Sequence, residues 1–391
     1  MKILFISHDA NRAGAQLFLL NTMQYLAKKD VSMHLFLLSG GVLEKDFRAI
    51  CGVSVFPNHV LKEKKSIIKR ISSKLIPDKS TTQNKVAELM TGLHLQNFDL
   101  IYANTIATAW VLPQLFHFVK TPLITHIHEL EFSIQLYSSK TDRDFLFANT
   151  TKLIACSNAV AENIIKKHHF SAKKIEIIHS FVENEKVISR SQITDNQAIR
   201  EKYNLPASAF LVGGCGNAEW RKGIDIFALV ASNVLEISEN NFHFVWIGVK
   251  KEGEYYEQVC YDIEKLGLEK HITFIEQTPD AIELITVLDI FTLVSREDPF
   301  PLVMLEAALA EKTIIGFENT GGCSEFIEAD AGELIPYLNT NKMAEKIVYL
   351  HANQSLAKQF GKKAKEKVLE KYSFENSVIK IEEALKSASK V

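Results

Sequence analysis

The sequence predicts an α/β protein built from two doubly wound domains. Three observations carry that prediction. Short apolar runs alternate with amphipathic stretches of helix length, the alternation happens twice, and one polar stretch separates the two sets. Short apolar runs without polar alternation suit strands buried on both faces, and therefore parallel sheets covered by helices. In the first half these runs are 2–7, 32–38, 100–103, 123–126, 153–155 and 175–178. In the second half they are 210–213, 243–247, 272–275, 290–294 and 313–316. Residues 183–206 are polar, rich in Lys, Ser, Asn and Gln, with no apolar period beyond a short helix near 198–203, and suit a linker or hinge. The expected division is a first domain over 1–182, the hinge, and a second domain over 207–371. A terminal helix is expected over 372–391.

Composition narrows the function classes. Of 391 residues, 47% are apolar and 24% charged, the balance of a folded chain. The net charge of −2 hides an asymmetry: residues 1–182 carry 22 Lys/Arg against 14 Asp/Glu, and the remainder 23 against 33. A basic half joined to an acidic half suggests different duties, one of them near an anionic partner. No apolar run reaches the roughly 18 residues of a membrane span. The apolar start Ile3-Leu4-Phe5-Ile6 is too short for a signal-peptide core. Five scattered cysteines, with no metal-type spacing, argue against a disulfide scaffold or zinc ribbon. A cytoplasmic protein without a nucleic-acid partner is expected.

Generic motifs fail in informative ways. Gly214-x-Gly216 follows a strand, yet a dinucleotide fingerprint needs glycine at 219, where Glu219 stands. A Walker A loop and a nucleophile elbow are absent. Asp142-Arg143-Asp144 has the form of a metal-binding pair but falls in an expected helix, where a solvated face is the simpler account.

The segment Val294-Ser295-Arg296-Glu297-Asp298-Pro299-Phe300-Pro301-Leu302-Val303-Met304-Leu305-Glu306 runs from a strand through a proline turn into a helix. Pro301 suits the first helical turn, where its missing N–H is no loss. Asp298 lies at the strand's C-terminal end and Glu306 about a turn and a half into the helix. Two carboxylates so spaced address two portions of one elongated ligand; equally, Asp298 suits a helix cap and Glu306 a paired buried carboxylate.

This segment resembles the E-x7-E signature of retaining glycosyltransferase family 4, the group 1 transferases of GT-B fold, here Asp298-x7-Glu306. Matching elements stand in order along nearly the whole chain. They are Ala13-Gly14-Ala15-Gln16 after the first strand, Thr125-His126-Ile127-His128-Glu129, Ala155-Cys156-Ser157, Trp220-Arg221-Lys222-Gly223 and Thr320-Gly321-Gly322-Cys323-Ser324-Glu325. The resemblance implies two Rossmann-like domains facing a cleft, with the C-terminal helix over 372–391 crossing back to the first domain. It further implies a nucleoside-diphosphate sugar held mainly by the second domain, an acceptor held by the first, and no metal or other cofactor.

Residue roles follow from the same resemblance. Lys222, aided by Arg221, neutralises the donor diphosphate; an anion there also relieves a cation placed at a helix start. Glu306 accepts from the ribose hydroxyls and Asp298 from the sugar hydroxyls. Phe300, Pro301 and Leu302 line the sugar and phosphate pocket, and Gly14 admits the donor close to the backbone. The active-site histidine is His128 or His126, with His128 the better match. Asn104, Glu129 and Glu131 are candidates for the acceptor side. Catalysis is expected to rest on His128, Asp298 and Lys222.

Three departures stand out. Asp298 replaces the usual Glu, Gly216 stands where members often carry Arg, and His179-Ser180-Phe181-Val182 replaces a common Asn-Gly turn. The implied reaction is retaining transfer to a hydroxyl of a glycan or lipid-linked acceptor, in surface polysaccharide or lipopolysaccharide synthesis. Residues 62–79 carry seven basic and two acidic residues with Ile67, Ile68, Ile71 and Leu75 at helical spacing. That suits a basic amphipathic helix on an anionic membrane at the inner face of the plasma membrane. Two alternatives share the architecture: a catalytically silent nucleotide- or glycan-binding subunit, and a sugar-nucleotide epimerase.

Overall fold

The computed structural model describes residues 1–56, 88–89, 91–93, 97–117 and 121–389. The basic helix expected at 62–79 lies outside the described residues. The chain divides into two units. The first comprises Met1–Cys156, Val160–Ile178 and the C-terminal residues from Val378; the second comprises Ser157–Ala159 and His179–Ser377.

Among its described residues the first unit holds a sheet of seven strands: β1 (Lys2–Ser7), β2 (Ser32–Leu37), β3 (Gly52–Val55), β4 (Leu100–Asn104), β5 (Leu123–Ile127), β6 (Thr150–Ala155) and β7 (Ile175–Ile177). Their order is β3-β2-β1-β4-β5-β6-β7, and every pairing is parallel. The inner strands are covered on both faces: Ile3, Leu4, Phe5, Ile6, Ile101, Tyr102 and Ile124 are fully buried. Each such side chain contributes roughly 1.5–3 kcal/mol relative to exposure.

The second unit holds six parallel strands: β8 (Phe210–Cys215), β9 (Phe242–Val249), β10 (Ile272–Glu276), β11 (Ile290–Leu293), β12 (Thr313–Phe317) and β13 (Gly332–Ile335). Their order is β10-β9-β8-β11-β12-β13. Its core packs Phe227 and Ile224 of the helix Ile224–Ile237 against Phe244 and Trp246, with Met343 and Ile347 from Thr340–Ala352. Each unit therefore has one place where strand order reverses, between β1 and β4 and between β8 and β11. Open parallel sheets bind ligands outside the strand C-termini at such a point.

Two strands, β3 and β13, are absent from the apolar runs of the sequence. Both are four-residue edge strands, only partly buried, so neither carries a continuous apolar run. Residues 183–206 form two helices of the second unit, Asn184–Ile193 and Asn196–Lys202. The second is the short helix expected near 198–203; the first carries a single buried apolar residue, Val187, which hid it from an apolar pattern. Asp195 caps the second through Gln197 and Ala198, Arg190 Nε donates to Glu283 at 2.7 Å, and Tyr203 donates to Asp280 at 2.8 Å. The terminal helix Phe374–Ala388 counts with the first unit from Val378 onward. There Tyr25 donates to Glu382 at 3.0 Å and Lys152 to Ser387 at 2.8 Å.

Candidate active site

In the second unit the sequence candidates converge at the C-terminal ends of β8 and β11. After β8 the chain makes a short 3-10 turn, Trp220–Lys222, and enters the helix Ile224–Ile237 through Gly223. Gly223 has φ +75°, and a Cβ there would stand 2.1 Å from the Val294 carbonyl oxygen. Only glycine lets this turn approach the end of β11 so closely.

The turn and the loop after β11 are laced together. Arg296 N donates to Arg221 O at 2.8 Å, Arg221 Nη1 to Glu297 O at 2.9 Å, and Arg296 Nη1 to Trp220 O at 2.7 Å. The Arg296 guanidinium grips Asp225 with both Nη atoms, at 2.9 and 2.6 Å, and lies 4.9 Å from the Trp220 ring centroid. Tyr255 donates to the same carboxylate at 2.8 Å. Burial alone would raise the Asp225 pKa, but the hydrogen bonds and charge of Arg296 hold it below the ordinary range.

This frame presents Asp298, only 6% exposed, to Lys222. Lys222 Nζ donates to Asp298 Oδ2 at 2.6 Å, Ser295 Oγ to the same oxygen at 3.2 Å, and Arg221 Nη1 stands 3.7 Å from Oδ1. The Asp298 backbone is fixed too: its N–H donates to Thr320 O and its carbonyl accepts from Gly322 N. Burial pushes its carboxyl upward, yet Lys222 and Arg221 together hold it below the usual carboxylate range. Asp298 thus supplies the negative charge that a cation at a helix start needs. The aliphatic stem of Lys222 lies over Gly216, where a Cβ would sit 3.1 Å from Cγ and 3.2 Å from Cδ.

Glu306 follows on the helix Leu302–Leu309, on its less buried face with Leu302 and Val303. Its charge reaches Cys215 at the end of β8, whose thiol is pushed up to about 12 by burial and by Glu306, against the pull of Lys222. Glu306, Lys222 and Asp298 therefore share one neighbourhood. Pro301 is the N-cap of this helix. Phe300 is buried, its ring 4.9 Å from His179 and 5.3 Å from Tyr372.

In the first unit a second constellation stands where β1 and β4 part. His8 follows β1; its Nε2 accepts from Gln16 at 3.0 Å and its Nδ1 meets Thr105 Oγ1 at 3.0 Å. Gln16 also donates to Asp9. Thr105 has φ +83°, rare for a β-branched residue, so local backbone strain is held at this loop. Asn104 donates to Ala15 O at 3.1 Å and accepts from His128 Nε2 at 3.0 Å, which places the His128 proton on Nε2. Glu129 accepts from the backbone N–H groups of His128 at 2.9 Å and Ile106 at 3.2 Å. Gly14 opens the helix Gly14–Leu26.

The two histidines differ in surroundings. His126 is fully buried, hydrogen-bonded through Nδ1 to Tyr102 at 2.6 Å, with Nε2 unpartnered. His128 is partly exposed, and the two rings stack at 3.8 Å between centroids. Burial, with the charge of His8, depresses His128 to about 3; burial and His128 depress His126 as well. Both are neutral near pH 7.

The structure joins Asn104, Glu129 and His128, and separately Arg221, Lys222, Asp298 and Glu306. Glu131 stands apart, hydrogen-bonded to Asn163, Gln135 and His168. Asp142 and Asp144 lie on the helix Lys140–Asn149, the first bonded to Ser139 and the second to Lys140. Among the described residues no group of three or more His, Cys, Asp or Glu is placed to hold a metal ion. His8, Asp9, Tyr102, Thr105 and the Arg296–Asp225–Tyr255 brace were not foreseen. His8 and Asp9 follow a strand directly, a position that marks them; the brace had no local signal.

Comparison with known proteins agrees with this architecture. Residues 12–186 match the family described as Glycosyltransferase Family 4, and residues 195–367 match Glycosyl transferases group 1. A poly(ribitol-phosphate) alpha-N-acetylglucosaminyltransferase of Staphylococcus aureus (strain COL) is 31% identical over 42% of this chain and 33% of its own length. The O-antigen biosynthesis glycosyltransferase WclY of Escherichia coli is 24% identical over 78% of this chain and 77% of its own. The crystal structure of Anabaena Alr3699/HepE in complex with UDP and glucose has a TM-score of 0.79 at 21% identity, covering 99% of this chain and 100% of that one. Among the described residues no helix is long and apolar enough to cross a membrane. The chain is a glycosyltransferase of the GT-B fold, related to the group 1 and family 4 transferases.

Proposed function

We propose that this protein is a retaining glycosyltransferase that moves a sugar from a nucleoside-diphosphate sugar to a hydroxyl of a glycan or lipid-linked acceptor, in surface polysaccharide synthesis. The convergence of Lys222, Arg221, Asp298 and Glu306 at the strand reversal of the second unit carries this reading. Lys222 and Arg221 receive the diphosphate, Glu306 the ribose diol, and Asp298 the sugar hydroxyls. When phosphate enters, Lys222 exchanges part of its pairing with Asp298 for the ligand, which leaves the carboxylate able to accept from the sugar. The bond from the anomeric carbon to the diphosphate oxygen breaks, and the bond to the acceptor oxygen forms on the same face. The acceptor proton passes to the departing phosphate. Negative charge grows on that phosphate, so fixed cations lower the barrier without reorganising. His128, neutral and oriented by Asn104, is assigned to the donor sugar. UDP bound to the Anabaena protein, and the O-antigen role named for the Escherichia coli relative, support a uridine donor and a surface glycan. A lipid-linked acceptor places the work at the inner membrane face, with residues 62–79 as the anchoring segment.

Thermal unfolding with UDP, GDP and ADP, each with and without EDTA, tests the reading. A ligand at 100 times its Kd adds about 2.7 kcal/mol. The expected result is a shift with one nucleotide, unchanged by EDTA and lost in Lys222→Ala and Glu306→Ala. No shift with any nucleotide overturns the donor assignment and favours the silent binding subunit.

A further inference from the structure

A cavity of about 630 Å³ lies in the first unit, between one face of the helix Lys140–Asn149 and the end of the helix Asn158–His168 with the turn that follows it. Lys140, Arg143, Asp144 and Phe147 line it at i, i+3, i+4 and i+7 spacing. A helix normally turns an apolar stripe of that spacing toward a neighbour. Here the stripe is mostly charged and faces open space.

The charges do not cancel. Lys140, Arg143, Lys167 and Lys174 stand against Glu131 and Asp144, and both carboxylates are already engaged. Asp144 pairs with Lys140 at 2.6 Å and Glu131 with His168 at 3.0 Å. Among the described residues neither Lys167 nor Lys174 has an ion-pair partner within 4.0 Å. Arg143 is oriented through Nη1, which donates to Ser138 O at 2.6 Å and to Ser138 Oγ at 3.4 Å and so steadies its planar fork at the wall. One wall is aromatic: the Phe147 ring lies 5.1 Å from His168 and 5.9 Å from Phe170. The volume falls within the about 300–1,000 Å³ of small-molecule sites.

We propose that this cavity binds a phosphorylated saccharide, with Arg143, Lys167 and Lys174 on the phosphate and the Phe147 face against the sugar ring. A guanidinium held at the wall, with two lysines on the same lining, gives a phosphate oxyanion both a fork of donors and point charges. The aromatic wall gives the ring's C–H face an apolar partner, which free phosphate lacks. The concave shape favours a small anionic sugar over a flat lipid surface. The cavity shares none of the proposed donor residues; of the acceptor-side candidates only Glu131 lines it, so the donor-site test and this one can fail separately.

Isothermal titration of the full chain with glucose 6-phosphate, glucose and inorganic phosphate tests it, at low and high salt. Glucose 6-phosphate is expected to bind about tenfold or more tightly than either fragment, and more weakly at high salt. The Arg143→Ala/Lys174→Ala double variant is expected to lose that binding about tenfold or more while keeping its circular dichroism and unfolding midpoint. Lys174→Glu, a change at one exposed side chain, provides a second variant should the first fail to fold. A methyl phosphodiester of glucose 6-phosphate separates the sources: tighter binding of the diester supports a segment of a phosphate-linked chain, and tighter binding of the monoester a free sugar phosphate. No binding, equal binding by the variants, or equal binding of inorganic phosphate overturns the proposal. So does binding only to phosphatidylglycerol vesicles, which would make the patch a membrane contact.

Discussion

Lys222 Nζ stands 2.6 Å from Asp298 Oδ2, although the residues are 76 positions apart and follow different strands of one sheet. Asp298 is buried, accepts from Ser295 as well, and has Arg221 within 3.7 Å of its other oxygen. A carboxylate one methylene shorter than glutamate reaches the lysine because the loop after β11 is tied by backbone hydrogen bonds to Thr320 and Gly322. The pair couples the stability of the second unit to the groups proposed to hold the donor.

Asp298→Asn is expected to destabilise the second unit by about 3 kcal/mol, since it leaves a mostly buried ammonium without its charge partner. The folded-state pKa of Asp298 lies below its unfolded value, so its contribution is complete above the ordinary carboxylate range and is lost as pH falls through the lowered value. Urea unfolding as a function of pH checks both points: the variant should show a lower midpoint at neutral pH and a flatter acid limb.

Arg296→Ala is expected to cost about 2 kcal/mol and to weaken nucleotide binding, because the guanidinium ties Asp225 and the Trp220 carbonyl beside Lys222. Arg296→Lys should recover only part of each, as an ammonium cannot form the two-pronged contact. Denaturant midpoints together with nucleotide Kd values measure the two effects separately.

Gly216→Arg puts back the cation that family members often carry there, yet it is expected to weaken nucleotide binding. Gly216 has φ +153°, and its missing Cβ leaves the space that the Lys222 stem fills. Gly216→Ala alone should destabilise by about 1 kcal/mol or more. A gain in UDP affinity in the arginine variant would show that the loop readily accommodates the side chain.

The first unit is expected to lose stability on mild acidification. His8, His126 and His128 all have folded-state pKa values below the unfolded one, chiefly through burial. The unfolded chain therefore binds more protons below about pH 6.5, and stability that is complete above that value falls as pH drops. The unfolding midpoint should fall by about 4 °C or more from about pH 7.5 to about pH 5. His128→Asn should reduce that slope, and His126→Phe should reduce it further because His126 is the more fully covered ring.

The strands that run through the centre of each sheet were legible as short apolar runs, because burial on both faces leaves no polar alternation. Strands β3 and β13 were not, since Gly52-Val53-Ser54-Val55 and Gly332-Glu333-Leu334-Ile335 break their apolar residues with Gly, Ser or Glu; the other two edge strands, β7 and β10, kept readable apolar runs. The short helix expected near 198–203 stands at Asn196–Lys202, whereas the helix Asn184–Ile193 escaped, because polar pairs such as Arg190 with Glu283 help hold it and such pairs have no period. Among the candidate residues, Asp298, Glu306 and Lys222 were marked by position after strands and by motif. By itself the sequence determined two parallel α/β units and the loops that carry the candidate residues, because burial and strand ends are local properties written in residue order. Tertiary structure alone decided that Lys222 pairs with Asp298, that Arg296 braces Asp225, and that His128 rather than His126 has an exposed edge. Those outcomes depend on which strands lie side by side, and on distances between residues far apart in the chain.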